Sequence, residues 1–282
     1  MNAANENLSR PLPTLYVPHG GGPCFFMDWT IGPSDTWDKM AAWLRQLGNE
    51  IESRYGKPRA ILAISAHWEE RQVTVQKRAH PGLLYDYYGF PAHTYQLQYN
   101  APGDPALAPH VTELLEAASI PVHSDATRGL DHGVFVPFKL IFPDADIPVC
   151  QMSLQAGLNA ASHLAIGQAL APLRQQGVLI IGSGMSYHNM RAIFTGSGTA
   201  DSLAFDAWLT ETVELADANA RNHRLENWAQ APSARASHPR EEHLLPLMIA
   251  AGAASEPGRR IFSDCIMETQ LSAYSFGDDS GL

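Results

Sequence analysis

Four histidines of this 282-residue chain lie at the borders of apolar runs. His19 and His67 each come directly after a strand-like run, His188 follows a run that ends in Gly-Ser-Gly, and His132 lies within Gly-Leu-Asp-His-Gly. The carboxyl ends of strands in an α/β sheet carry the loops that build active sites. Imidazole binds transition metals and transfers protons near neutral pH. The pattern therefore predicts a metal site.

A fifth candidate, His243, lies in a stretch that resembles the start of a helix. Pro239 would occupy the first helical position, and acidic residues would fill the first turn. Either Glu242 or His243 could bind a metal from this position. The chain contains no HExxH pair and no GxSxG motif, which disfavours the common zinc-protease helix and a serine hydrolase.

Each of these histidines, taken alone, could be a structural residue that hydrogen-bonds the backbone. The glycine-rich turn after His19 could also hold a phosphate, but no Lys-Ser/Thr or GxGxxG pattern follows it. Five histidines in one kind of structural context favour a shared site. The other seven histidines of the chain lie in predicted loops or helices, where surface roles are expected for most of them.

The elements that must position these residues alternate along the chain. Strand-length apolar runs occur at 14–17, 59–66, 72–76, 147–154 and 178–182, with a C-terminal pair around 261–274. Helical spacing occurs at 36–54, 105–118, 160–175, 202–221 and 241–252. This alternation predicts an α/β single-domain sandwich with a central mixed, mostly parallel sheet flanked by helices. The C-terminal pair is expected to be antiparallel.

No internal repeat or linker divides the chain. We therefore expect a single catalytic domain over residues 1–282, with flexible tails at 1–12 and 277–282. Residues 79–104 and 222–240 lack a regular pattern. Long irregular segments of this kind either cover active sites or are ordinary surface excursions.

Composition limits the choice of partners and compartment. The formal charge of −10 is dispersed along the chain, which argues against nucleic acid or an anionic membrane as a partner. The polar N-terminus lacks a signal-peptide core, and no segment has transmembrane length. The three widely spaced cysteines are typical of reduced cytosolic thiols, so we expect a cytoplasmic protein. A homo-oligomer is compatible with the sequence.

Eight motifs, in this order along the chain, resemble those of the class III extradiol ring-cleaving dioxygenases. The resemblance is to the family of the protocatechuate 4,5-dioxygenase beta subunit, in its branch of DOPA 4,5-dioxygenase-like proteins. The motifs are PHGGGP at 18–23, ISAHW at 64–68, YDYYGFP at 85–91, YNAPGDP at 99–105, GLDHG at 129–133, PDADIPV at 143–149, GSGMSYHN at 182–189 and EHLLPL at 242–247.

This resemblance implies ring cleavage of a catechol-type substrate by O₂ at a non-haem Fe(II), giving a muconic semialdehyde-type product. It places His19, His67 and His243 on the metal, makes His188 the acid/base and puts His132 near the substrate. Other branches of the family use a glutamate as the third ligand, so Glu242 stays an alternative to His243. Zn(II) could bind the same ligands, but its filled d shell cannot support the electron transfer that ring cleavage needs.

Substrate contacts are expected from two segments. Aromatic rings with a polar tip suit a planar phenolic ligand, and Tyr85–Phe90 is rich in them. We expect Tyr88 and Phe90, together with Gly21 of the glycine-rich turn, to contact the substrate. The alternative is that the aromatic rings only pack their loop onto the domain.

Two other functions remain open at the level of the sequence. One is a zinc-dependent hydrolase in which the metal activates water. The other is a non-catalytic relative of the same fold that binds a metal or a partner. The presence of all ligand candidates together with His188 argues against the second.

Overall fold

The computed structural model describes residues 10–278 and 281–282, and eight strands of this part form one sheet. The strands are β1 (Thr14–Pro18), β2 (Ala60–Glu70), β3 (Val73–Gln76), β4 (Val122–Asp125), β5 (Val149–Gln155), β6 (Val178–Gly184), β7 (Gly258–Ile266) and β8 (Thr269–Phe276). The helices are α1 (Asp38–Tyr55), α2 (Leu107–Ala117), α3 (His132–Ile141), α4 (Ala160–Leu170), α5 (Met190–Thr195), α6 (Thr199–Val213), α7 (Ala218–Glu226), α8 (Ala234–Ser237) and α9 (Leu245–Gly252).

The strand order is β4-β3-β5-β2-β6-β1-β8-β7. The four central strands, β5, β2, β6 and β1, are mutually parallel. Strand β8 is antiparallel to β1 and to β7, and β3 is antiparallel to β5. The predicted α/β fold with a mixed, mostly parallel sheet and an antiparallel C-terminal pair is therefore confirmed.

Helices cover both faces of the sheet because the central strands are apolar on both sides. In β2, Leu62 and Ile64 join the core beneath α2, α4, α6 and α9, whereas Ile61 and Ala63 join the core beneath α1 and α3. All four side chains are fully buried. The alternation follows from the two-residue period of a strand.

Strand β4 and helix α3 are among the elements that were not predicted from the sequence. Strand β4 is short and only half-buried, so it lacks a strong apolar alternation. Helix α3 is buried on all sides from Val134 to Phe138 and carries Pro137, so it has neither an amphipathic period nor the composition of a typical helix.

Three predicted boundaries differ from the structure. The helix expected at 202–221 is divided into α6 and α7, and Asp217 caps the second of these through its side chain. The helix expected at 241–252 begins at Leu245, with Pro246 rather than Pro239 in its first turn. The helix expected at 160–175 is α4 followed by a 3-10 helix, Ala171–Gln176.

The two segments expected to be irregular differ from each other. Residues 79–104, all of them described, contain one 3-10 helix, Ala92–Gln96. Residues 222–240 instead include the end of α7, a 3-10 helix and α8. The polar composition of 222–240 concealed these short helices, because most of their stability comes from tertiary packing.

The predicted tails are described only in part. Residues 1–9 lie outside the described residues. The backbone of Leu12 exchanges hydrogen bonds with Arg174, and the Tyr55 hydroxyl donates to Asp278 over 2.5 Å.

In the described part of the chain, no helix combines the length and the apolarity needed to cross a bilayer.

A glycine sets the distance between α1 and α3, the helix that begins with His132. A Cβ atom at Gly48 would lie 1.9 Å from the backbone oxygen of Ile141. Such a distance is far inside van der Waals contact, so any larger residue would push α3 away from α1. The position of α3 therefore depends on a residue that is unfavourable in the interior of a helix.

We expect Gly48→Ala to destabilise the protein by about 2 kcal/mol or more, because the steric clash exceeds the gain of about 1 kcal/mol in helix propensity. The measurement is urea unfolding followed by circular dichroism. The matched control is Asn49→Ala at the adjacent exposed position, which should change stability by at most about 0.5 kcal/mol. A stabilised Gly48→Ala variant would contradict the steric role.

Candidate active site

Three of the five candidate histidines are carried by neighbouring parallel strands. His19 follows β1, His67 lies near the carboxyl end of β2, and His188 lies in the loop after β6. The pairing of β2 with β5 shifts register between Ile64 and Glu69, so His67 lies at an irregularity in the sheet. Because β1 and β2 both pair with β6, their carboxyl ends bring the three imidazoles to one edge.

The other two histidines reach the same edge from helix starts. His132 is the first residue of α3, and His243 lies in the turn before α9. Glycines allow both approaches: a Cβ at Gly133 would lie 2.9 Å from Cδ2 of His67, and one at Gly184 would lie 2.1 Å from the backbone oxygen of His243. The structure thus brings together all five candidate histidines.

Three of the rings are nearly equidistant. The centroids of His19, His67 and His243 are 4.8, 4.9 and 5.2 Å apart, taken in pairs. Two imidazoles bound to one metal at about 2.1 Å, at 90–110° to each other, would have centroids about 4.5–5.2 Å apart. The arrangement of these three rings therefore fits a common metal ion.

Other ring pairs fit a common metal less well. The centroids of His67 and His132 are 4.0 Å apart, and those of His188 and His243 are 3.3 Å apart in a stacked arrangement. Both spacings are shorter than two ligands of one ion would have. Potential ligand atoms nevertheless lie within 4.8 Å of one another in two groups, which are His19, His67 and His132, and His188, Glu242 and His243.

Hydrogen bonds determine which nitrogen of each ring is free. Nδ1 of His19 lies 2.9 Å from the Gly20 carbonyl, which can only accept, so Nδ1 carries the proton. Nδ1 of His243 lies 2.9 Å from Oε1 of Glu242, and its buried Nε2 has no hydrogen-bond partner. Nε2 of His19 and Nε2 of His67 are 3.2 Å apart. With Nδ1 protonated, the lone pairs of His19 and His243 lie on Nε2, and these nitrogens, together with Nε2 of His67, could bind a cation.

Burial keeps these rings uncharged. Burial, together with the neighbouring His243 and other imidazoles, lowers the pKa of His19 well below its usual value. Burial and the adjacent His19 lower the pKa of His67, and burial and His188 lower the pKa of His243 to about 3. Neutral imidazole is the form that binds a metal, so no proton has to be removed from the site at neutral pH.

Glu242 connects two histidines instead of pointing freely into the site. Its Oε1 lies 2.9 Å from Nδ1 of His243 and 3.3 Å from Nδ1 of His188, and its Oε2 lies 3.3 Å from Arg240. Burial raises the pKa of Glu242, but the hydrogen bonds from His188 and His243 outweigh it, so the net pKa is well below the usual range. Both carboxylate oxygens are therefore engaged by neighbours.

Arg240 fixes this carboxylate to the sheet. Its two terminal nitrogens lie 2.5 and 2.6 Å from the two carboxylate oxygens of Glu69, which is two residues beyond His67 in β2. Two parallel charge-assisted hydrogen bonds of this kind define an orientation as well as a distance. The turn that carries His243 is thereby tied to the strand that carries His67.

The acid that orients His132 was missed by sequence reasoning. Oδ1 of Asp86 lies 2.7 Å from Nδ1 of His132 and accepts from its backbone N–H over 2.9 Å. Burial raises the pKa of Asp86, but the hydrogen bonds from His132 outweigh it, and the net pKa is lowered. The adjacent Asp131, the nearer candidate in the sequence, faces elsewhere. No local signal could connect residues 46 positions apart.

Asp131 instead supports His67. It is fully buried and accepts hydrogen bonds from Ser65 over 2.7 Å, from Arg128 over 3.0 Å and from Gln151. The Ser65 hydroxyl also accepts from the backbone N–H of His67. A buried carboxylate with this many partners is costly to disturb. It fixes the end of β2 at the point where His67 enters the site.

The five histidines lie at one end of a cavity of about 720 Å³. Gly21 and Phe90, two of the residues expected to contact the substrate, line this cavity. Tyr88 is not among the described residues that line it, and its side chain is 90% exposed, so the cavity wall gives no support to the substrate contact expected of Tyr88. Tyr87 is buried and packs its ring edge-on against His132 instead.

Much of the wall comes from residues that the sequence did not single out. Apolar side chains from the segment after the glycine-rich turn, from the loop after β6, from α5 and from the β7–β8 turn line the cavity. They are Met27, Trp29, Ile31, Trp37, Met185, Met190, Ile193, Phe194 and Met267. Apart from Met185, which lies within the motif at 182–189, they belong to none of the eight motifs, because apolar residues that face a cavity resemble core residues in the sequence.

The fold and this site define an α/β enzyme with a histidine-rich candidate metal centre. Residues 13–275 match the family described as the catalytic LigB subunit of aromatic ring-opening dioxygenase. A protein of Beta vulgaris named 4,5-DOPA dioxygenase extradiol is 46% identical over 71% of this chain and 75% of its own length. The dioxygenase tasH of Hapsidospora irregularis is 36% identical over 94% of this chain and 85% of its own length.

A solved structure agrees with these relatives. The crystal structure of an uncharacterized protein from Escherichia coli K12 superimposes with a TM-score of 0.74 at 30% identity, covering 94% of this chain and all of the other. The chain belongs to the family of catalytic LigB subunits of aromatic ring-opening dioxygenases. It is an extradiol dioxygenase, and the resemblance found in its motifs is confirmed.

The different positions of Phe90 and Tyr88 generate a paired prediction. Phe90→Ala should weaken the binding of a simple phenol about fivefold, because an apolar contact in the cavity is lost. Tyr88→Ala, two residues away on the exposed side, should leave binding unchanged. The measurement is quenching of the tryptophan fluorescence of the protein, since Trp29 and Trp37 line the cavity. Equal effects of the two substitutions would contradict the assigned wall.

Proposed function

We propose that this protein cleaves the aromatic ring of a catechol with O₂ at a ferrous ion, giving a muconic semialdehyde-type product. We further propose that His19, His67 and His243 hold the ion. The observation that carries the proposal is the near-equal spacing of these three rings, at 4.8–5.2 Å between centroids. The unpartnered Nε2 of His243 and the facing Nε2 atoms of His19 and His67 support it.

Three protein ligands would leave room on the ion for other ligands, and Fe(II) would supply the electron transfer that lets O₂ react with a closed-shell catechol. The chain itself keeps the three rings neutral by burial and fixes two of them through Nδ1. Gly20 performs this role for His19, and Glu242 performs it for His243. Acceptors at Nδ1 orient a ligating ring and increase its basicity.

His188 would act as the acid/base. Its Nδ1 faces the ionised Glu242, which can only accept, so the neutral ring carries its proton on Nδ1 and its lone pair on Nε2. The side chain is 23% exposed and lines the cavity. Nε2 can therefore take the proton of a catechol hydroxyl and later return it to a product oxygen.

His132 would hold an oxygen of the substrate. Asp86 accepts from its Nδ1, so Nε2 can accept a hydrogen bond from a hydroxyl when the ring is neutral and donate one when it is protonated. The ring is held on its other side by the edge-on contact with Tyr87. The carboxylate–imidazole pair resembles the orienting pairs of other acid/base sites.

A dihydroxyphenyl substrate is supported by the relatives. Several of them are named 4,5-DOPA dioxygenase extradiol, including the Beta vulgaris protein at 46% identity. DOPA is a catechol with an amino acid side chain. We extend to this chain only the part that the buried histidines would contact, which is the ring with two adjacent hydroxyl groups.

The experiment that tests the proposed function is anaerobic reconstitution with Fe(II), followed by a catechol panel and O₂. Oxygen uptake matched by a yellow product would support ring cleavage. Protein loaded with Zn(II) is the control and should give neither. Hydrolytic activity with Zn(II) and no ring cleavage with Fe(II) would favour the alternative of a zinc-dependent hydrolase. Binding without any turnover would favour a non-catalytic relative.

The third metal ligand can be tested with two adjacent residues. His243→Ala should lower the affinity for Fe(II) or Zn(II) more strongly than Glu242→Gln, for which roughly 10- to 100-fold is expected of a residue that only orients a ligand. The measurement is metal content by mass spectrometry after dialysis against a graded chelator. His123→Ala, at an exposed histidine, is the control. A larger loss for Glu242→Gln than for His243→Ala would transfer the ligand role to the carboxylate.

The acid/base can be separated from the ligands by its effect on turnover. His188→Ala should retain metal but lose kcat by on the order of 10²-fold or more, because a general acid/base typically contributes that much. Steady-state oxygen uptake and metal content are measured on the same preparation. His223→Ala, on the exposed side of α7, should match the parent protein. Full activity of His188→Ala would reject the assigned role.

A further inference from the structure

The cavity changes its chemistry from floor to mouth. At the floor, His19, His132 and His243 are almost fully buried, with 2–7% of their surface exposed. At the mouth, three large apolar side chains are unusually exposed: Phe194 at 57%, Ile31 at 45% and Met190 at 43%. A polar floor thus opens through an apolar passage to an apolar rim.

The wall of the cavity also carries few charged side chains. Among the described residues that line the cavity, none is lysine or arginine, and the one carboxylate is the exposed Asp28. A carboxylate is normally bound by arginine, lysine or a helix N-terminus, because a charge without a partner is costly to desolvate. Asp28 would add repulsion. The wall therefore has no arginine or lysine to pair with an acidic substituent.

The cavity is larger than a bare catechol ring. About 720 Å³ is in the range of cavities that enclose drug-sized ligands and exceeds what a catechol alone would fill. Four of the lining residues are methionines, namely Met27, Met185, Met190 and Met267. Their unbranched side chains adapt to ligands of different shape. The wall is built to contact an apolar group of variable outline.

We propose that the substrate is a catechol whose ring carries an uncharged, apolar substituent, and that this substituent lies along the methionine-rich wall toward the rim. The inference rests on the proposed function, which directs the two hydroxyl groups to the histidines at the floor. The rest of the ligand then extends toward the mouth. Each methylene group buried there should improve binding about three- to fourfold. The amino acid substituent of DOPA would be disfavoured by the same wall.

The first experiment measures binding to the metal-free protein and needs no turnover. The probes are 4-pentylphenol and 3-(4-hydroxyphenyl)propanoate, whose substituents have the same number of non-hydrogen atoms but differ in charge. Tryptophan fluorescence and calorimetry should give one site per chain and tighter binding of the pentyl compound, by on the order of 10²-fold. Equal or tighter binding of the propanoate would overturn the inference.

Two variants of Met190 test whether the substituent of the ligand lies at the rim. Met190→Lys places a cation at a position that is already 43% exposed, so the fold should tolerate it. It should improve propanoate binding about threefold, as expected for an exposed ion pair. Met190→Gln, which is polar but neutral, should not. An unchanged affinity for the propanoate in Met190→Lys would show that the substituent does not pass this rim and would overturn its placement.

The second experiment uses the Fe(II) protein and compares kcat/KM for 4-pentylcatechol, 3-(3,4-dihydroxyphenyl)propanoate, the amide of that acid, and 2-(3,4-dihydroxyphenyl)ethylamine. The expected order places the pentyl compound first, the amide next and the acid last. A preference for the amine that is lost in Asp28→Asn would overturn the inference in favour of a cationic substituent. If no catechol consumes O₂, the proposed function fails, whereas the phenol experiment still decides the preference of the cavity.

Discussion

The hydrogen bonds to Nδ1 of the clustered histidines are the constraint on which the rest of the site depends. Five imidazoles lie within a few ångströms of one another at the edge of the sheet, and three of them are buried. Without acceptors at Nδ1, each ring could rotate or change its tautomer. The Gly20 carbonyl, Glu242 and Asp86 supply these acceptors, to His19, to both His188 and His243, and to His132, respectively. Each acceptor leaves Nε2 as the nitrogen available for the proposed chemistry.

The acceptors require support of their own, and it extends far into the fold. Glu242 is held ionised by its two histidines and by Arg240, which in turn is bound by Glu69 at the end of β2. Gly184 allows the turn that carries His243 to approach β6 closely, and Gly133 allows α3 to approach His67. A change at any of these positions would act on the chemistry through geometry, without contact with a substrate.

The apolar lining of the cavity is unlike what the charged substrate in the names of the relatives would require. An apolar wall without a cation among its described residues is suited to a neutral substituent, whereas DOPA carries a charged amino acid group. Membership of the family supports the class of reaction, which we propose the histidines carry out. Residues such as Met190 and Phe194, which we propose contact the substituent of the substrate, lie outside the motifs of the resemblance. Reaction and substrate preference can therefore diverge within one fold.

The sequence by itself determined the fold class and singled out five histidines that the fold brings together, because both depend on local patterns. Continuous apolar runs require buried central strands, and polar residues that follow such strands must meet at one edge of a parallel sheet. Helix α3 escaped prediction because a helix buried on all sides has no amphipathic period. Pro239 and the acidic residues that follow it were mistaken for the start of a helix that begins at Leu245.

Only the tertiary structure decided the partners of these histidines and the shape of the cavity. Asp86 reaches His132 across 46 residues of chain, and Arg240 reaches Glu69 across 171. Tyr88 and Phe90 are separated by one residue, yet the first faces solvent and the second faces the cavity. In an irregular loop no period relates neighbouring side chains, so their directions depend on contacts made with distant parts of the chain. Those contacts exist only once the whole domain has folded.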